Sequence, residues 1–308
     1  MRVLITGGAG VLGSALVRVA TERSDTGASA DAGVSADTGA NARHQVEVTV
    51  RRRDSVTPPG AKRHIVELTQ PMAFWSVVER RRPDVVIHTA YSRSDHVATV
   101  DITSEVATVC ATFGVELIHV STDALFDGDH APYDESALPA PVTPYGRAKA
   151  RCEEIVSENC PDAAIVRTSL IVADDASDGT SAWLVEALRA GQRTTLFHDE
   201  FRCPIRDVDL AKLLWGLVDL DAAERRGVWH LVGPERLSRV ELGHRIARRM
   251  GLDGSLIDEA SSDSMPGRRP KDLALGAARM QRWLESGRSG DACWPAPIGS
   301  VEGHGSRN

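Results

Sequence analysis

"RVLITGGAGVLGSALVRVATE" (Arg2–Glu22) opens with a short apolar run, Val3 to Ile5, passes through a cluster of glycines, and continues with Leu12, Leu16 and Val19 at helical spacing. The order is strand, glycine turn, helix. Gly7, Gly10 and Gly13 form G-x-x-G-x-x-G, a pattern whose missing side chains let the backbone approach a pyrophosphate at the positive end of the helix. A plain tight turn is the alternative reading. The position between a strand and a helix at the start of the chain favours the phosphate site.

Working outward, "SDTGASADAGVSADTGANARH" (24–44) is small and polar with a loose repeat. It offers no apolar face to offset the cost of ordering, so a disordered insertion without assigned function is expected there. The strand "QVEVTV" (Gln45 to Val50) then ends in Arg51, Arg52 and Arg53. In dinucleotide folds this strand end faces the adenine ribose, where arginine suits a 2′-phosphate. Arg51 and Arg52 therefore point to NADP(H), with NAD(H) as the alternative cofactor and a solvated charge run as the plain reading. "PDVVIHTA" (83–90) and "VELIHVST" (115–122) are further apolar runs preceded by helical segments. Strands and helices alternating in this way call for a doubly wound, mostly parallel Rossmann-type α/β sheet, with ligands at the carboxyl ends of its strands. Thr122 stands at such an end.

"PYGRAK" (144–149) follows a threonine. Thr143 can cap a helix and Pro144 suits its first position, so Tyr145 and Lys149, four apart, share a face. On spacing alone this is an ordinary surface helix.

The 308 residues suffice for one large α/β domain or for such a domain with a smaller lobe, and a net charge of −7 with mixed signs excludes the basic face of a nucleic-acid binder. Five dispersed cysteines read as free thiols of a reducing compartment, and the ten histidines lack metal-ligand spacing, so no metal is expected. The N-terminal stretch has no signal-peptide pattern and no run reaches membrane-spanning length; the expected localisation is cytoplasmic, without a membrane partner.

Taken together, the glycine motif, the strand end "STD" and the Tyr145-x-x-x-Lys149 pair resemble the extended short-chain dehydrogenase/reductase superfamily. "HVSTDALFDGDHAPYDESALPAPVTPYGRAKARCEE" (119–154) resembles more closely its dTDP-4-dehydrorhamnose reductase-like, sugar-nucleotide-binding family. "DEFRCPIRDVDLAKLLWGL", "GVWHLVGPERLSRVELGHRIA" and "GRRPKDLAL" extend the likeness over about residues 1–284.

The resemblance implies an NADPH-dependent reductase of a keto group on a nucleotide-activated deoxysugar or similar small metabolite. Tyr145 would be the general acid; Lys149 would hold the nicotinamide ribose and lower the tyrosine pKa; Thr122 would bond the substrate oxygen. It implies cofactor contacts from Gly7, Gly10, Val11, Leu12, Gly13, Arg51, Arg52, Ala90, Tyr145 and Lys149. Substrate contacts would come from Asp123, Arg202, Arg206 and Arg268, the last within a basic loop shared with Arg269 and Lys271. Superfamily members often dimerise through the helix bearing the tyrosine, which makes a homodimer the candidate assembly.

Departures stand beside the likeness. Asp123 is followed by Ala124, not by the glutamate of 4,6-dehydratases, nor by the tyrosine usual in the rhamnose-type reductases; Asp101 stands near the position of a frequent structural asparagine; and the loop after the fourth strand is short. A regulatory subunit that binds the dinucleotide without turnover and a nucleotide-sugar epimerase are the two alternatives.

The expected division is a cofactor domain over 1–167 and about 205–228, and a substrate lobe over about 168–204 and 229–284. A flexible tail is expected over 285–308. Trp183 is expected on the core side of a lobe helix with Leu184 and Leu188.

Overall fold

A computed structural model describes residues 1–28, 44–92 and 94–299. β1 (Arg2–Thr6) leads through the glycine turn into α1 (Val11–Ala28). β2 (Gln45–Val50), β3 (Lys62–Ile65), α2 (Ala73–Arg81), β4 (Val85–His88), α3 (His96–Phe113), β5 (Glu116–Thr122), α4 (Pro144–Asn159) and β6 (Ala164–Thr168) follow. The chain then enters a smaller lobe through β7 (Ile171–Val172), α5 (Ala182–Arg189), β8 (Thr194–Phe197) and β9 (Phe201–Arg202). It returns along β10 (Ile205–Arg206), α6 (Asp207–Val218), α7 (Ala222–Arg225) and β11 (Gly227–His230). β12 (Leu237–Ser238), α8 (Arg239–Arg249), β13 (Ile257–Ala260) and α9 (Ala278–Glu285) complete it.

Seven strands form one sheet in the order β11-β6-β5-β4-β1-β2-β3, and each neighbouring pair is parallel. The order reverses between β1 and β4, so the carboxyl ends of these two strands diverge and open a crevice. The glycine turn after β1 and Ala90 after β4 lie at its rim. Thr122 ends the next strand along.

Alternation decides which residues face which layer. Val3 and Ile5 of β1 pack with Leu16, Trp215, Met280 and Trp283 under α1, α6 and α9, while Leu4 between them packs with Phe74, Val77, Val106 and Val156 under α2, α3 and α4. Trp215 is fully buried and its indole N–H donates to the Leu16 carbonyl at 2.9 Å; truncating such a side chain costs about 3–5 kcal/mol. The lobe has its own core of Leu184, Leu188, Leu196, Leu242, Ile246 and Ile257.

Four local expectations change. The helix α1 runs to Ala28, past the expected start of the insertion at Ser24, and His44 at its other end stacks on Trp215 (5.2 Å) and bonds Asp219 (2.9 Å); residues 29–43 lie outside the described residues. The segment 286–299, expected to be flexible, packs against the body: Ala292 and Ile298 are buried, and the Ala296 N–H donates to Asp209 at 3.1 Å. The helix α9, expected in the lobe, presents Met280 and Trp283 to the main core instead, three residues apart on one face. Trp183 is 42% exposed; Leu184 and Leu188, four apart, fill the buried face, and the tryptophan beside them turns outward.

Candidate active site

The glycine turn is shaped by contacts that leave no room for side chains. Gly7 has φ +74°, and a Cβ on Gly13 would lie 2.3 Å from the Gly7 carbonyl oxygen, so helix and turn close on each other only with glycine there. Gly8, which the motif spacing passes over, is equally constrained: its Cβ would lie 2.5 Å from that of Val48 on β2. Gly10 is exposed on the open side. The N–H groups of Val11, Leu12 and Gly13 precede the first bond of the helical ladder, Ser14 N to Gly10 O at 2.8 Å, and so are available to an anion. The Leu12 side chain is in the core, leaving its backbone to serve. The Ala90 N–H donates to the Thr6 hydroxyl oxygen at 3.2 Å, which sets that residue against the turn. This cradle fits the diphosphate of a dinucleotide.

At the end of β2, Arg51 and Arg52 are both exposed. Arg52 is held by Asp54 through two bonds of 2.9 Å, and Arg51 forms no ion pair with a described residue.

Thr143 caps α4 by accepting from the Gly146 N–H at 3.0 Å, with Pro144 in the first turn. Gly146 then lets the helix approach the turn after β5, since a Cβ there would lie 2.1 Å from the Ala124 carbonyl oxygen. That approach brings Tyr145 beside Thr122. The Thr122 oxygen accepts from the Ala124 N–H at 3.2 Å, and its one hydrogen is donated to Asp123 Oδ1 over a long 3.4 Å. Tyr91 and His96 stand around the phenol at ring distances of 6.1 and 6.0 Å.

Lys149 is buried, and its ammonium donates to the Val120 carbonyl at 2.8 Å and contacts His119 Nε2 at 3.2 Å. The lowered tyrosine pKa expected from this lysine is not what the geometry gives. Burial pushes the Tyr145 phenol above its ordinary range, Tyr91 adds to the rise, and the Thr122 hydroxyl pulls it partly back. Burial also lowers Lys149. Asp101 is exposed on α3 and contributes no buried group here.

Three arginines were expected to contact substrate, but their placements differ. Arg206 is buried and clamped to Asp209 by bonds of 2.8 and 2.9 Å at the start of α6. Arg268 is exposed and paired with exposed Asp129 at 2.6 Å. Arg202, by contrast, lies 3.9 Å from Oδ2 of buried Asp123, and the same oxygen accepts from the Ser169 hydroxyl at 2.6 Å. Burial raises the Asp123 carboxyl above its usual range, with Arg202 opposing.

Two further arginines join Arg202: Arg269, from the basic loop it shares with Arg268, and Arg239, which the sequence did not single out. Arg269 bonds buried Glu200 at 2.5 Å, and Arg239 at the start of α8 lies within the field of Arg202, Glu200, Asp123 and Arg269. Three guanidinium groups thus face two carboxylates, a surplus suited to an anion. Arg239 had only a helix-start position as its signal. Gly146 had only its place after the tyrosine.

Beneath the site, His88 and His119 are each 1% exposed. Burial lowers His88 to about 3 and His119 well below the ordinary imidazole value, Lys149 adding to both. Neutral in the folded protein and protonated in the unfolded chain, such rings stabilise the fold above about pH 6.5, and that contribution is lost as pH falls below it. Thermal or urea unfolding from pH 7 to 5 is expected to show stability falling by about 1.4 kcal/mol per pH unit for each ring. His88→Asn should remove one ring's share of that slope.

Residues 1–286 match the family model described as RmlD substrate binding domain. A probable low-salt glycan biosynthesis reductase of Haloferax volcanii is 27% identical over 298 residues, covering 91% of each chain. The methionine adenosyltransferase 2 subunit beta of Bos taurus is 28% identical over 293 residues, covering 91% of this chain and 81% of that one. Among solved structures, a dTDP-4-dehydrorhamnose reductase from Bacillus anthracis str. Ames in complex with NADP superposes with a TM-score of 0.71 at 20% identity, covering 91% of this chain and 92% of that one. That likeness bears on the fold. Among the described residues no helix is long and apolar enough to cross a membrane.

Proposed function

The chain belongs to the RmlD substrate binding domain family, and from that premise we propose that it is an NADPH-dependent keto reductase with Tyr145 as general acid. The substrate in this reading is a nucleotide-activated keto-deoxysugar, as the name of the Bacillus anthracis relative suggests. The observation that carries it is the convergence of a hydroxyl, a phenol and an ammonium, from Thr122, Tyr145 and Lys149, at the strand ends beside an anion cradle.

The bound nicotinamide would supply hydride to the carbonyl carbon. Tyr145 gives its proton to the carbonyl oxygen, and a phenol pushed upward by burial is fully protonated at neutral pH, the form a reduction needs. Thr122 turns its one hydrogen from Asp123 Oδ1, 3.4 Å away, to the same oxygen as charge develops there. Lys149, with two N–H groups engaged, keeps a third for the ribose. The cradle of Gly7, Gly10 and the Val11, Leu12 and Gly13 N–H groups holds the cofactor diphosphate, with Ala90 as its neighbour. Arg202, Arg239 and Arg269 receive the diphosphate of the sugar nucleotide, and buried Asp123 holds Arg202 in place.

The test is NADPH oxidation against a panel of keto-sugar nucleotides. Turnover on at least one of them supports the reading. Tight NADPH binding with no turnover on any favours a second reading, a dinucleotide-binding regulatory subunit, which the similarity to methionine adenosyltransferase subunit beta supports.

Cofactor choice has its own measurement. Arg51→Ala with Arg52→Ala should weaken NADPH by about 10- to 100-fold, the worth of one or two hydrogen bonds to a charged group, and leave NADH nearly unchanged. Titration by tryptophan fluorescence reads both. Equal losses for the two cofactors would remove the 2′-phosphate argument.

A further inference from the structure

Among the described residues, buried Lys149 forms no ion pair of its own. The titratable groups that face it and its partner histidine are Cys152 and Glu153 from α4, His88 from β4, and Tyr145 with its neighbours Tyr91 and Asp123. Glu153 is already bonded to Arg167 of β6 at 2.9 Å. The ammonium's two protein partners are both uncharged acceptors, the Val120 carbonyl and His119 Nε2.

The state of the two rings follows from counting hydrogens. The Thr6 hydroxyl oxygen accepts from the Thr89 N–H at 3.1 Å and the Ala90 N–H at 3.2 Å, so its own hydrogen goes to His88 Nδ1, 2.8 Å away. His88 therefore carries its proton on Nε2, which donates to Thr103 at 3.2 Å, and the Thr103 hydroxyl donates onward to the Thr99 carbonyl at 2.9 Å. A second proton on His88 would meet the Thr6 hydrogen head-on. His119 sits opposite His88 in register, with ring centroids 5.3 Å apart. Its Nε2 faces the lysine ammonium and must be bare, which puts its proton on Nδ1, an atom buried without a hydrogen-bond partner. A buried polar atom left unpaired costs about 1–3 kcal/mol. Nothing in the local packing offsets it except the contact that the other nitrogen makes.

We infer that His119 is a positioning residue for Lys149: with the Val120 carbonyl it fixes the ammonium through an uncharged acceptor, at the end of a neutral row, Thr6–His88–His119, running across three strands. A carboxylate in its place would hold the lysine as firmly but cancel its charge. The neutral ring leaves that charge to act on a bound ribose.

The kinetic half of the test rests on the reductase reading, and the spectroscopic half does not. Long-range 1H–15N spectra of the whole protein should show both rings neutral from about pH 5.5 to about pH 7.5, roughly one unit below and above the ordinary imidazole midpoint. His88 should be protonated on Nε2 and His119 on Nδ1, and Lys149→Met should shift the His119 Nε2 resonance. A His119 that titrates near pH 6.5, the ordinary value of about 6.5 for a free ring, or that bears its proton on Nε2, overturns the inference whether or not the protein turns over.

In turnover, His119→Leu should lower kcat about tenfold, the order expected for loss of one charge-assisted hydrogen bond, with the KM of the keto substrate little changed. His119→Gln retains a neutral acceptor and should recover most of the rate. Equal loss in both variants, or a loss confined to KM, contradicts the positioning role. Absence of wild-type turnover on every keto compound would count against the reductase reading, and the spectra would still decide the state of His119.

Discussion

Tyr145→Phe is expected to lower kcat by about 10²- to 10⁴-fold, the usual worth of a positioned general acid, while NADPH binding stays nearly as it was. The change removes one oxygen and keeps the ring that packs between Tyr91 and His96. Lys149 keeps its anchors on Val120 and His119, neither of which involves the phenol, so the cofactor end of the site should be intact. Kcat and KM must be measured separately, because a proton given only in the transition state lowers kcat, whereas a lost ground-state contact raises KM alone. A rise in KM with kcat preserved would reassign Tyr145 to substrate binding. Survival of both would point to another acid, and His96, with its ring 6.0 Å from the tyrosine ring, is the neighbour to replace next.

Gly146→Ala should cost activity out of proportion to the single methyl it adds. The new Cβ would stand 2.1 Å from the Ala124 carbonyl oxygen, 3.0 Å from Pro141 Cβ and 3.1 Å from the Thr143 hydroxyl. The first contact is against backbone and cannot be relieved by a side-chain rotation. Either α4 retreats from the turn after β5, or that turn moves and takes the Thr122 cap with it. A retreat of about 1 Å between reacting groups costs roughly 10²-fold in rate, and overpacking of this kind destabilises by about 1–3 kcal/mol. The expected result is a kcat down about a hundredfold with a melting temperature several degrees lower and NADPH still bound. A wild-type kcat would show that the close approach of α4 is not what sets the phenol against Thr122.

Much of this was legible in the chain itself. The strand–glycine–helix opening, the alternation of apolar runs with helical segments, and the cap formed by Thr143 and Pro144 are local patterns, and local patterns report backbone geometry because hydrogen bonding and steric limits act over a few residues. They determined the parallel sheet, the crevice at its carboxyl ends and the helix face shared by Tyr145 and Lys149.

Other features were decided by residues far apart in sequence that only folding brings together. Arg206 reads as a substrate contact until Asp209 is seen clamped to it, and Arg239 reads as one more helix-start residue until Arg202, Asp123 and Glu200 gather around it. Gly8 and Gly146 look optional until Val48 and the Ala124 carbonyl occupy the space a Cβ would need. The segment 286–299 reads as a polar tail, yet Ile298 and Ala292 find apolar partners on the body. Nor does the interior of "VELIHVST" announce that its histidine meets Lys149 thirty residues on. Composition and spacing carry no information on such pairings, since burial and charge partners are properties of the distance between elements. The sequence alone determined the architecture and the place of the site; the tertiary structure decided which charges in it are free to act and which are already spoken for.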